Sequence, residues 1–151
     1  MVLVSFSDPK FIPLILSGQK LQTCRPYKER QLRILKDNPT LHLWYKSRTA
    51  EKQKIGEAQR CYLELIRFQQ DGVVLLRHQT ENKNSLVWAC DLDHFAKMDG
   101  FENYAEMYAW FSRRYTDLES TEFMCIRWDP LSLVPAALTS PAKTTTQEGE
   151  A

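Results

Sequence analysis

GQKLQTCRP, residues 18–26, follows an apolar, helix-like stretch. Gly18 predicts the end of the preceding helix, and the proline at the far end predicts the end of a short strand. Side chains alternate between the two faces of a strand, so Thr23 and Arg25 share one face, and Lys20 can reach the same side from the turn. The segment therefore predicts a patch on which an ammonium, a hydroxyl and a guanidinium converge.

Outward from this segment, the sequence predicts about six strands, with the helices gathered in insertions between them. Such an arrangement is typical of an α+β chain with a curled sheet or small barrel, because a doubly wound sheet needs regular alternation of strands and helices. The expected strands are residues 1–6, 21–25, 40–49, 55–68, 73–79, 86–90 and, as the last strand, 120–128. The expected helices are 8–18, with Asp8 as N-cap, and two acidic helices split at Gly100, while 27–39 is either a basic helix or an irregular arm.

Length and composition favour one folded domain with a polar tail. The chain has 151 residues, of which 43% are hydrophobic, enough for one sizeable core. We expect the domain to span residues 1–133. From Val134 onward the sequence is rich in Thr, Pro and Ala, which predicts a disordered tail over 134–151.

The spacing of the cysteines and the absence of long apolar runs predict the thiol state and the cellular location of the protein. No C-x-x-C pair occurs, and the three histidines do not join the cysteines at zinc-finger spacing, so we predict reduced thiols, a cytoplasmic protein and no metal or cofactor. No run approaches the roughly 20 apolar residues of a membrane span, and the N-terminus lacks a signal-peptide pattern. We expect no membrane association and a monomer.

The net charge of +1 conceals an asymmetry. Eleven Lys or Arg stand against four acids between Lys20 and Arg60, whereas eight acids stand against three basic residues between Asp91 and Glu122. This asymmetry indicates either two solvated faces of opposite sign or a basic surface for phosphates. For the second interpretation, the residues expected to contact phosphates are Lys28, Arg30, Arg33, Lys46, Lys52 and Lys54.

Several segments together resemble the ASCH domain, the family named for homology to an activating signal cointegrator. The segments are FIPLILSGQKLQTCRP, LWYKSRT, KIGEAQ, MDGFENYAEMYAWF and FMCIRW, in the family's order and at about its spacing, across residues 4–128. The most specific piece is G-x-K-x-x-T-x-R. The resemblance implies a PUA-like small β-barrel, a fold used in RNA recognition, with a cleft sized for a nucleoside or nucleotide and lined by Lys20, Thr23, Arg25 and Asp99.

Two functions from different classes follow. The first is a module that binds RNA or a nucleotide through a basic cleft, with Trp44 or Tyr45 as a stacking surface because one of them must face outward on its strand. The full set of expected ligand-binding residues is Gly18, Lys20, Thr23, Arg25, Trp44, Tyr45 and Arg48. The second is an enzyme: an amidohydrolase on an acetylated cytidine, as in some small bacterial members of the family, or alternatively a metal-assisted ribonuclease. The resemblance then implies Lys20, Thr23 and Asp99 as the catalytic group.

Structural roles are the alternative for each of these residues. Lys20 would then be a solvated turn lysine, Thr23 an ordinary strand residue, and Arg25 an ion-pair partner of Asp99 or Glu57. Large aromatic residues are more often core than stacking surfaces, and on that ground Trp88, Trp110 and Phe111 are assigned to the core.

Overall fold

A mixed α+β fold with a curled, half-barrel sheet is seen in the computed structural model, which describes residues 1–76 and 91–139. The strands are β1 Val2–Phe6, β2 Gln22–Pro26, β3 Thr40–Tyr45, β4 Gln53–Gln69, β5 Gly72–Leu75, β6 Phe123–Trp128 and β7 Val134–Pro135. The helices are α1 Phe11–Ser17, α2 Glu29–Asp37, α3 Leu92–Met98, α4 Tyr104–Arg114 and α5 Ala136–Thr139, with short 3-10 turns at Leu118–Ser120 and Pro130–Ser132. The α+β class predicted from the sequence is confirmed.

The sheet is organised around β4, which pairs with four other strands. The strand order is β1-β3-β4-β6-β2, and β5 and β7 also pair with β4. β1 runs parallel to β3, and the other pairs are antiparallel. The register against β6 shifts between Arg60 and Tyr62, and such bulges increase the local twist of a strand. β4 can therefore belong to both halves of the curled sheet.

The two edge strands of this order, β1 and β2, are linked by one side chain. The Nη2 atom of Arg25 in β2 donates to the backbone oxygen of Ser5 in β1, at 2.7 Å. The guanidinium also lies against the Phe6 ring, with Cζ 5.1 Å from its centroid. Arg25 thus spans the open side of the half-barrel, which we call the seam.

The core combines residues of the sheet with residues of helices α1 to α4. The Phe68 and Phe111 rings stack at 4.7 Å, and Phe123 meets both of them edge-on. The Tyr104 hydroxyl lies within hydrogen-bond distance of the backbone oxygens of Gln69, at 2.6 Å, and Gly72, at 3.0 Å. These contacts fix α4 against the β4–β5 hairpin.

Most element positions agree with the sequence pattern, and the differences have local causes. Helix α1 ends at Gly18, which has a φ of +86°, and α3 and α4 are separated around Gly100. The predicted N-cap role of Asp8 is wrong, because a turn bonded from Phe11 N to the Asp8 oxygen precedes the helix. The basic segment forms α2, whose buried Leu35 faces the core and whose last carbonyls accept from Arg60.

The described fold continues past residue 133, the predicted domain boundary. Val134 and Pro135 pair with Glu57 and Gly56 of β4, so β6 is not the last strand, and α5 follows. Residues 140–151 lie outside the described residues, and their disorder stays a prediction. The strand expected at 86–90 and the core position of Trp88 also lie outside them. Among the described helices, none has the length and apolar character that a membrane crossing requires.

Candidate functional site

The motif residues lie around one cavity of about 170 Å³, which we call the inner cavity. β2 contributes Thr23 and Arg25, the turn before it contributes Lys20, and the turn between α3 and α4 contributes Asp99. The other lining residues are 5–8, Phe11, Cys24, Phe101, Trp110, Phe111, Arg114 and Tyr115. Its walls are thus largely aromatic, and its charged side chains come from β2 and α4 and from the turns beside β1, β2 and α3.

Lys20 is buried, not a solvated turn lysine, since 2% of it is exposed. Its Nζ atom donates to the backbone oxygens of Gln22, at 2.7 Å, and Asp99, and it lies 4.0 Å from Asp99 Oδ2. The ammonium also lies 4.5 Å from the Phe11 ring centroid. Burial is the main cause that lowers the pKa of Lys20; Asp99 opposes this shift and Arg25 adds to it.

Asp99 is the buried acid of the site, with 3% of the residue exposed. Burial raises the pKa of its carboxyl, while Lys20 and the amide of Gln22 act in the opposite direction. Gln22 Nε2 lies 3.4 Å from Asp99 Oδ1. The Oε1 atom of Gln22 accepts from Arg127 Nε and Nη2. A polar network therefore lies beside the inner cavity; its members are Lys20, Arg127, Asp99 and Gln22.

Thr23 and Arg25 lie on one face of β2, as the strand period predicts. Arg25 Nε donates to Thr23 Oγ1 at 3.0 Å, which leaves the threonine proton available to a further acceptor. The ion pair proposed for Arg25 with Asp99 or Glu57 does not occur: the guanidinium bonds Ser5 and Thr23, whereas Glu57 accepts from Lys54 at 2.6 Å.

A second, more open cavity of about 480 Å³ adjoins the first, and we call it the outer cavity. Its cationic lining residues are Arg25, Lys46 and Arg48, and none of the described acidic side chains lines it. Lys46 is paired with Glu51 at 2.7 Å, and Arg48 is exposed. The two cavities share Arg25 and residues 5–7, so they are continuous around the Arg25 side chain.

The remaining basic candidates lie along α2 and the β3–β4 hairpin. Lys28 lines a third cavity, of about 240 Å³, between β1 and β2, in which Arg25 also takes part. Arg30 and Arg33 are exposed on α2, Lys52 is exposed in the hairpin, and Lys54 is held by Glu57. Lys28 is thus connected to the motif through the seam, whereas Lys54 is engaged in a local ion pair.

Three other candidates lie outside the lining of the inner and outer cavities. Gly18 ends α1, and its left-handed conformation turns the chain so that Lys20 enters the interior. Trp44 and Tyr45 are both half-buried on β3, and neither lines these two cavities. The positions of Trp44 and Tyr45 do not support the stacking role expected for one of them.

Sequence reasoning missed the contribution of α4. Phe111 is buried as expected, but Trp110 is half-buried and lines the inner cavity together with Arg114. The i, i+4 spacing of an aromatic and an arginine on a helix is the signal that relates them. Cys24 was also passed over; it faces Cys125 across β2 and β6, and burial raises the pKa of its thiol.

Within residues 1–76 and 91–139, no group of three or more His, Cys, Asp or Glu side chains is placed to hold a metal ion. Comparison with protein-family profiles, with curated proteins and with solved structures found no match.

Proposed function

We propose that the chain is an ASCH-like module that binds RNA or a nucleotide at the cleft around Lys20, Thr23 and Arg25. The observation that carries the proposal is the position of Arg25, whose side chain lies at the junction of the aromatic inner cavity and the cationic outer cavity. A nucleotide has the same two parts, a planar base and a charged phosphate, and the two cavities match them in order.

Size and charge support this division. At about 170 Å³, the inner cavity is smaller than the roughly 300 Å³ at which small-molecule sites begin, so it fits a base-sized part of a ligand. The ligand then continues past Arg25 into the outer cavity, where Arg48 is exposed and free of acidic neighbours in the cavity lining. Arginine suits phosphate because its planar fork of donors matches the oxygens of the group.

The outer cavity is tested with a fluorescein-labelled oligocytidine of eight nucleotides, measured by anisotropy. Arg48→Gln should weaken its binding about 5-fold or more, because a charge-assisted contact to phosphate is lost. The matched control is Lys97→Gln, an exposed cation on α3 outside both cavities, which should bind as the wild type does. Absence of wild-type binding to both this oligomer and cytidine 5′-monophosphate, or equal losses in both variants, would contradict the proposal.

Substitutions of the basic residues at α2 distinguish RNA from a mononucleotide as the ligand. If the ligand is RNA, exchanging Lys28, Arg30 and Arg33 together for glutamine should weaken binding and lower the salt slope by about 2, because each phosphate contact on a single strand contributes about 0.7. If the ligand is a mononucleotide, cytidine 5′-monophosphate should bind, and the triple variant should bind it unchanged.

An amidohydrolase is a second candidate, favoured by the shared cavity of Lys20, Thr23 and Asp99. Burial and the neighbouring Arg25 lower the pKa of Lys20, which brings its amine closer to acting as a base near neutrality. Thr23 would attack the acyl carbon or orient a water that does. Release of acetate from acetylcytidine, lost in Thr23→Val while ligand binding is kept, would support this function; no acetate release in the wild type would exclude it for that substrate.

A further inference from the structure

Helix α4 places a stacked pair of side chains in the wall of the inner cavity. The Arg114 guanidinium lies over the Trp110 ring, with Cζ 3.7 Å from the ring centroid. Both residues line the inner cavity, so the contact between them is part of its wall. The indole is therefore a flat aromatic part of this wall, and Arg114 covers one of its faces.

The ring is held in place by two phenylalanines that also line the inner cavity. Trp110 meets Phe101 at 5.7 Å and Phe111 at 4.9 Å, both edge-on, and these two phenylalanines are buried. A rigid aromatic surface loses little entropy on binding, which is why such residues make effective anchors.

Arg114, by contrast, is held weakly. It is exposed, its described hydrogen bond runs to the Trp110 backbone oxygen at 3.4 Å, and among the described residues it makes no ion pair. A guanidinium stacked on an aromatic ring at an exposed site contributes only about 2- to 5-fold to an equilibrium. Arg114 can therefore leave the ring at small cost.

We propose that Trp110 is the stacking surface for the base of a nucleotide in the inner cavity. When the base stacks on the ring, the Arg114 side chain moves off it and contacts the ligand phosphate. This inference rests on the proposed nucleotide binding and assigns two residues to it. The exchange is favourable because stacking of a base on an aromatic side chain contributes about 5- to 150-fold to affinity, more than the cation–ring contact it replaces.

The charges around the cavity agree with an anionic ligand. Lys20, Arg25 and Arg114 line it, against Asp8 and Asp99. Lys20 and Asp99 already face each other at 4.0 Å, and the Asp8 carboxylate accepts from the backbone of Lys10. Arg25 and Arg114 therefore stand against the single remaining carboxylate of Asp8, which leaves an excess of positive charge for a phosphate.

The test compares the fluorescein-labelled eight-nucleotide oligocytidine with an abasic oligomer of the same length, which has the phosphates but no rings. The wild type should bind the oligocytidine at least 5-fold more tightly. Trp110→Leu should abolish this preference and leave binding of the abasic oligomer within 2-fold. Arg114→Gln should weaken binding of both oligomers.

The controls are matched on the same helix. Tyr108→Leu removes a half-buried aromatic ring that does not line the cavity, and Arg113→Gln removes the neighbouring exposed charge. Both should keep the wild-type affinity and preference. Because Trp110→Leu can impair folding, Trp110→Phe is measured as well: oligocytidine should quench the wild-type tryptophan fluorescence, and Trp110→Phe should remove that quenching.

The outcomes separate the two proposals. A wild type that binds neither the two oligomers nor cytidine 5′-monophosphate refutes the nucleotide-binding function, and the stacking role with it. A wild type that binds both oligomers equally, a preference that survives Trp110→Leu, or quenching that persists in Trp110→Phe refutes the stacking role alone. Equal losses in Arg114→Gln and Arg113→Gln refute the assignment of Arg114.

Discussion

A single side chain, Lys20, joins two elements of the fold while lining the cavity of the candidate site. Its ammonium binds the backbone oxygen of Gln22 at the start of β2 and that of Asp99 at the end of α3. A lysine that only lined a pocket would be replaceable without effect on stability. Lys20 is not replaceable in this way, because its removal leaves two buried carbonyls and a buried carboxylate without their cation.

We therefore expect Lys20→Met to lower the free energy of unfolding by about 3 kcal/mol, the effect of breaking a buried ion pair from one side. The measurement is urea unfolding, with Lys97→Met on the exposed face of α3 as the control, for which a change within about 0.5 kcal/mol is expected. A loss below about 1 kcal/mol for Lys20→Met would show that Lys20 serves the cavity only.

The buried carboxyl of Asp99 gives a pH dependence with a defined sign. Its pKa in the folded protein is raised above the ordinary value of 3.8, mainly by burial, so the folded state holds this proton at pH values where the unfolded chain has lost it. The contribution of Asp99 to stability is therefore largest below the unfolded pKa and is lost as pH rises through the folded pKa. We expect the stability of the wild type relative to Asp99→Asn to increase as pH is lowered from 7 toward 4 in urea titrations. A difference that shrinks toward low pH would contradict this.

At the residue scale, strand periodicity predicted which side chains of β2 share a face, but not their partners from other elements. The period of two along β2 predicts Thr23 and Arg25 on one face, and the structure places them so. The partner of Arg25 could not be predicted, because Ser5 O becomes its acceptor only when the two sheet edges face each other across the seam. Trp110 was assigned to the core because composition alone does not show that a large aromatic borders a cavity.

At the scale of elements, the two turns on either side of the inner cavity depend on glycine. Gly18 at the end of α1 and Gly100 after α3 both have positive φ, +86° and +97°. A Cβ on Gly18 would come no closer than 3.9 Å to a neighbour, Pro130. A Cβ on Gly100 would lie 2.8 Å from Phe11 Cε1 and 3.2 Å from Lys20 Cδ. The second turn is therefore constrained by packing as well as by backbone conformation.

Gly18→Ala should cost about 1 kcal/mol, the penalty of a left-handed residue with a side chain. Gly100→Ala should cost about 3 kcal/mol, because overpacking against Phe11 and Lys20 adds to the same penalty. Urea unfolding of the two variants side by side checks the order. Equal losses would show that Phe11 moves aside freely.

Elements with strong local signals were predictable, and those that depend on distant partners were not. The separation of α3 and α4 follows from Gly100 and from apolar residues at helical spacing. For the basic segment 27–39 the sequence does not distinguish a helix from an arm, because α2 is stabilised by burial of Leu35 and by Arg60, which bonds its last carbonyls from another strand. Val134 and Pro135 form β7 through pairing with β4, and two residues give no periodicity.

At the scale of the whole molecule, the half-barrel holds together through β4 and across the seam. The long strand pairs on one half with β3 and β7 and on the other half with β5 and β6. The seam opposite is bridged by Arg25 and flanked by α2. The barrel-like curl was predicted from the distribution of helices, whereas the seam was not, because closure depends on the twist that accumulates across all the strands.

Two truncated chains test at which residue the folded part of the protein ends. A chain ending at residue 139 should keep the melting temperature within about 1 °C, because residues 140–151 have few large apolar side chains. A chain ending at residue 133 should melt about 3 to 6 °C lower, since it loses β7 and its pairing with Gly56 and Glu57. Equal melting temperatures would show that β7 contributes nothing, and a large drop for the first chain would show that residues 140–151 pack on the domain.

The position of β2 has a consequence for the order of events during protein synthesis. β2 pairs with β6, and Gln22 and Arg127, which face each other there, are 105 positions apart. At a translation rate of about 5–20 residues per second, the motif around Lys20 leaves the ribosome about 5–20 s before its partner strand. The nascent chain therefore carries this motif without its cavity until synthesis has passed β6, so a ribosome stalled before residue 123 would display a ligand-free, unpaired β2 and no assembled site.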